Sequence, residues 1–124
     1  MRFFNIIFGE AKASGTENSF WKNIESEKDL ANAIQGSFGT KTVIFKHSTR
    51  CFISKTVLRN FEKEVRNSDK NISYYFLDLL AHRDLSDKIA RDLDVEHQSP
   101  QLIVIENGKA VNNASHQHIS IGLI

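Results

Sequence analysis

The chain has 124 residues, 40% hydrophobic and 25% charged, which suits one domain with a single core and leaves no room for a second. Sixteen Lys and Arg against fifteen Asp and Glu leave a net charge of +1, so no broad basic field exists to hold nucleic acid. One cysteine excludes an intramolecular disulfide and fits a reducing compartment, so the expected location is cytoplasmic.

The amino terminus, "MRFFNIIFGEAKASG", imitates a signal peptide, with small residues around Ala13. Its apolar stretch, Phe3 to Phe8, is short for that purpose and is interrupted by Asn5. No stretch approaches the ~20 apolar residues of a membrane span, so no stable membrane insertion is expected. "GEAKASGTENS" is small and polar, which sets residues 1–19 apart as a flexible lead-in and residues 20–124 as the domain.

"FWKNI" (20–24) suits a short edge strand. Ser26, with Asp29 three residues on, resembles a capping box for a helix that carries Leu30, Ala33 and Ile34 and stops near Gly36. "TVIFK" (42–46) is a β-branched apolar run, as in a buried strand. Beyond Cys51 the period changes: Ile53, Val57, Phe61 and Val65 recur every four residues, with Leu58 beside them, and predict a helix. "SYYFLDL" (73–79) is strand-like. Leu85, Ile89 and Leu93 predict a further helix, with Arg83 and Asp84 at its start. "QLIVIENGKAVNNASH" predicts a hairpin turning at Asn107-Gly108, and "HQHISIGLI" a helical turn or two. The order β-α-β-α-β-α-β-β-α predicts a three-layer α/β sandwich, with parallel helix-connected strands and an antiparallel hairpin edge.

Cys51 falls at a strand-to-helix junction. The amino end of a helix offers unpaired N–H groups and the positive end of its dipole, both of which favour a thiolate over a thiol. Lys46, His47 and Arg50 lie just upstream and add positive charge, although for each a solvated surface position is an open alternative. A buried, inert cysteine is the competing reading of Cys51. Ser48, Thr49, Arg50 and Ser54 are poor core neighbours and speak against it. Ser54 stands where a Cys-x-x-Cys motif has its second sulfur. It is expected to hydrogen-bond the thiolate or simply to serve as a polar first-turn residue. Pro100 directly precedes a strand, where a missing N–H is tolerated. A cis bond to Ser99 would bring backbone beside the thiolate. His97, His116 and His118 show no zinc-ligand spacing, so no metal is expected.

The element order, with Cys51 at the junction and Pro100 before the fourth strand, resembles the thioredoxin fold, an α/β/α sandwich with a mixed central sheet. More narrowly, "FKHSTRCFIS", "HQSPQLIVIENGK" and "SHQHI" resemble the YtxJ-like monothiol bacilliredoxins over roughly residues 20 to 120. Phe52 departs from the small residue or proline expected after the cysteine. The resemblance implies Cys51 as nucleophile, a cis Pro100 that with Ser99 shapes the groove for the substrate disulfide, and local hydrogen bonding by His97 and His116. It implies Ser54 in the catalytic set, and Lys46, His47, Thr49 and Arg50 as substrate contacts, for instance to the carboxylates of bacillithiol.

A lone thiolate can attack a mixed disulfide but cannot release itself with a second sulfur. The implied function is therefore removal of bacillithiol, or another low-molecular-weight thiol, from capped protein cysteines. On that reading the chain is a monomer that holds no tight cofactor, uses bacillithiol as cosubstrate and has bacillithiolated proteins as partners. An iron–sulfur cluster carrier of the single-cysteine glutaredoxin type and a non-catalytic binding module remain alternatives from other classes.

Overall fold

The computed structural model describes residues 19–124. All of the lead-in but Ser19 lies outside the described residues. Eight main elements follow one another: β1 (Trp21–Asn23), α1 (Glu27–Gly36), β2 (Thr42–His47), α2 (Phe52–Arg66), β3 (Ser73–Asp78), α3 (Arg83–Leu93), β4 (Gln101–Glu106) and β5 (Lys109–Ser115). Two short 3-10 segments, His116–His118 and Ile121–Leu123, end the chain.

The strands form one five-stranded sheet in the order β1-β3-β2-β4-β5. β1 and β2 both run parallel to β3, while β4 is antiparallel to β2, and β5 to β4. The sheet is thus more mixed than helix-connected strands suggest, since α3 returns the chain to a strand that opposes its neighbour. Asn107 and Gly108 both have positive φ, at 53° and 79°, as a mirror-image two-residue hairpin turn requires. Ser37 holds this turn from outside, accepting from Gly108 N through its hydroxyl at 2.8 Å.

Alternation along β2 divides the core. Ile44 joins Leu30 and Ala33 of α1 and Leu85, Ile89 and Leu93 of α3 on one side of the sheet. Val43 and Phe45 join Val57, Phe61 and Val65 of α2 on the other. Helices on both faces make three layers, as expected. Ser26 caps α1, accepting from Asp29 N at 3.1 Å, and the Asp29 carboxylate reaches back to Glu25 N at 2.9 Å.

In α2 the inward stripe differs from the predicted one at its first turn. Ser54, Val57, Phe61 and Val65 are buried, while Ile53 is 47% exposed. The four-residue spacing drifts around a 3.6-residue helix, and at the amino end a serine takes the inward position.

Candidate functional site

β2 ends at His47, and α2 begins at Phe52 after four intervening residues. Cys51 is the N-cap of α2, in extended conformation at φ −100° and ψ 120°. Its backbone N–H donates to Ser48 O at 3.1 Å, and its carbonyl accepts from Lys55 N at 3.1 Å. The thiol is free and the residue half-buried. It stands at the cap itself, one residue ahead of the first turn of α2. The orphan N–H groups of that turn therefore lie just beyond the sulfur-bearing residue.

The register Lys46↔Gln101 aligns the end of β2 with the start of β4, so Cys51 and Pro100 both extend from the same end of the sheet. The Ser99–Pro100 peptide bond is cis. Pro100 O accepts from His116 N at 3.1 Å, which ties this turn to the end of β5. A cleft of about 250 Å³ opens beside α2, lined by Phe52, Ile53, Thr56, Val57, Asn60, His116, Gln117 and Ile119. Phe52, the departure noted in the sequence, is 76% exposed at its edge.

The expected site residues separate into groups. Thr49 and Arg50 are exposed beside Cys51. Ser54 is fully buried, and its hydroxyl is committed: it accepts from Ser48 N at 3.1 Å and pairs with His47 Nδ1 at 2.7 Å. The hydrogen bonds of Ser54 thus serve the loop that carries Cys51, closer to the polar first-turn role than to the bond to the thiolate, the two alternatives its position offers. His47 is buried against the Phe45 and Phe76 rings. Burial pushes its imidazole below the usual histidine range, the nearby Asp78 carboxylate opposes this, and a neutral ring suits the bond to Ser54.

Lys46 is not on the surface either. Alternation turns it to the α3 side of the sheet, where its side chain is wholly buried. Its Nζ donates to Ser86 O at 3.1 Å and meets His97 Nδ1 at 3.3 Å. Burial lowers the ammonium from 10.5 to about 8, with Asp87 pulling the other way. Lys46 therefore has no direct access to a substrate carboxylate in this structure. The Ser99 hydroxyl is also buried, with no hydrogen-bond partner among the described residues.

The sequence did not reveal the partners of these buried groups. Ser86 carried no signal beyond a polar residue on the inner face of α3, one position after Leu85. The resemblance implies local hydrogen bonding by His97, and its contact with Lys46 is of that kind.

A lone cysteine at the amino end of α2, at the same end of a mixed, helix-flanked sheet as a proline turn, defines a single-cysteine thiol redox protein of thioredoxin fold. A family model described as monothiol bacilliredoxin BrxC matches residues 22–124, and the chain belongs to that family. A solved structure described as a candidate oxidoreductase with a thioredoxin fold is 30% identical, with a TM-score of 0.73, covering 83% of this chain and 88% of its own. The fold is also that of Malassezia sympodialis thioredoxin (18% identity, TM-score 0.62, covering 79% of both chains). Fasciola hepatica thioredoxin shares it too, at 18% identity and TM-score 0.59, covering 77% of this chain and 86% of its own.

Proposed function

We propose that the protein removes bacillithiol from capped protein cysteines by monothiol exchange. The Cys51 thiolate attacks the bacillithiol sulfur of a client mixed disulfide. The old S–S bond breaks, the client leaves as a thiolate that takes up a proton, and bacillithiol remains disulfide-bonded to Cys51. A second bacillithiol thiolate then attacks that adduct, restores Cys51 and departs as bacillithiol disulfide. The active thiol would work in a reducing compartment such as the cytoplasm.

The observation that carries this reading is the setting of Cys51: a free thiol on a half-buried residue at a helix cap, with the +3 position filled by a buried, doubly bonded serine hydroxyl. No resolving sulfur is present, so the cycle must be closed by a second molecule. Membership of the monothiol bacilliredoxin family supports the choice of small thiol. Mass spectrometry after parallel exposure to oxidised bacillithiol, glutathione and coenzyme A tests it. The expected result is fastest formation of a bacillithiol adduct on Cys51, and Cys51→Ala should lose both adduct and client release. Client release that persists in Cys51→Ala would refute the scheme, and faster glutathione loading would reassign the cosubstrate.

A further inference from the structure

Two buried polar side chains stand side by side at the cysteine end of the sheet. Lys46 and Gln101 are register partners on antiparallel strands, so both side chains leave the sheet on the α3 face. Both turn back into the loop between α3 and β4. Lys46 Nζ reaches His97 Nδ1, Gln101 Nε2 donates to Glu96 O at 2.9 Å, and Gln98 N donates to Gln101 Oε1 at 3.4 Å. Three successive loop residues, 96 to 98, are therefore held by two side chains that are fully buried. The loop runs directly into Ser99 and Pro100.

A buried ammonium is an expensive way to fill this space. It loses its hydration, and its hydrogen-bond partners are a carbonyl and an imidazole, with no carboxylate in direct contact among the described residues. A methionine would occupy a similar volume without that cost. What methionine would lack is a directed donor between α3 and the loop.

We propose that Lys46 is a positioning residue for the thiol-exchange site: held between the Ser86 carbonyl and His97 Nδ1, its ammonium works with Gln101 to fix the Ser99–Pro100 turn relative to Cys51. Because a charged Lys46 only donates, His97 must accept on Nδ1 and carry its proton on Nε2. The Ser86 hydroxyl, 3.2 Å from the same nitrogen, completes the arrangement. The charged groups facing the cluster are Asp87 and Arg83 of α3, while β4 presents the neutral Gln101. His97 is pushed below the usual range by burial and then by the Lys46 charge, so the two do not carry protons together readily.

This deepens the proposed exchange activity and rests on it, so the test has one arm that does not. Ring-nitrogen NMR on the whole chain should show His97 as the Nε2–H tautomer. In Lys46→Met its titration should move up toward that of an ordinary histidine. In the activity arm, exchange with a cysteinyl peptide disulfide-linked to bacillithiol is compared with alkylation by iodoacetamide, which also uses the thiolate but does not need the Pro100 turn. Lys46→Met should lower exchange by about tenfold, mostly through KM, with alkylation little changed. The exchange-to-alkylation ratio of the wild type should fall as pH rises through about 8, where Lys46 gives up its charge, and should be flat in Lys46→Met. Should Lys46→Met fail to fold, His97→Ala removes the same link from the exposed side, and the same fall in exchange is expected. An unmoved His97 titration, or unchanged exchange in a folded variant, overturns the proposal. If no protein exchanges with the peptide, the function is wrong, and the His97 titration alone still decides whether the link exists.

Discussion

Ser54 shows how one atom can replace a function with a structure. Its hydroxyl joins Ser48 N–H, in the loop before Cys51, to His47 at the end of β2. Removing it leaves a backbone donor and an imidazole nitrogen unpaired in a buried place. Ser54→Ala should therefore cost about 2 kcal/mol, read as a lower urea midpoint, and Ser54→Cys should recover only part of it because sulfur is a weak hydrogen-bonding atom. Cys51 was legible in the sequence because a lone thiol between a β-branched run and a helical period stands out locally. The roles of Lys46 and Ser54 were not. Lys46 and His97 are 51 positions apart, and nothing local marks a lysine as buried. In sequence, "FKHSTR" is a polar run that invites a surface reading, yet Lys46 and His47 belong to opposite faces of a covered strand.

Among the elements, the best predicted were those whose signals are local. The Ser26 cap, the period of α3 and the Asn107-Gly108 turn each follow from a few neighbouring residues. The turn also yields a prediction. A Cβ at Gly108 would lie 2.8 Å from Phe38 Cζ, on a backbone of φ +79°. Phe38 is an exposed ring that can swing away, so the backbone sets most of the cost of Gly108→Ala. That cost should be about 1–2 kcal/mol, measurable by denaturant titration, with alkylation of Cys51 unaffected at the far end of the sheet. The direction of β4 was harder to foresee. A helix before a strand normally implies a parallel return, and only pairing with β2, far away in sequence, shows that the strand runs the other way. The inward residue of the first turn of α2 differs from the predicted one for a related reason. Several positions in "CFISKTV" could face the core, and the sheet beneath decides which does.

For the whole molecule, burial of titratable groups makes stability depend on pH with a definite sign. Lys46 is lowered from 10.5 to about 8, so between those values the unfolded chain binds more protons than the folded one. Its contribution to stability is complete above the unfolded value and is lost as pH falls through about 8. His47 and His97 are lowered as well, and theirs is present above about 6.5 and lost as pH falls through their folded values. Urea midpoints should thus drop on acidification below pH 6.5. The rise from pH 8 to 10 should be smaller in Lys46→Met than in the wild type. Over that alkaline window the fold gains stability while relative exchange efficiency falls, and a purely structural lysine would not separate the two. Trp21, the only tryptophan, donates to Glu62 of α2 at 2.8 Å and packs near Phe45 and Phe61, so its fluorescence can follow the unfolding.

Cys51 also fixes the arithmetic of oxidation. With no second thiol to close a ring, any disulfide the chain forms must join it to another molecule and change its mass. A non-reducing gel or an intact-mass spectrum then counts oxidised chains one by one, with the attached mass naming the captured partner.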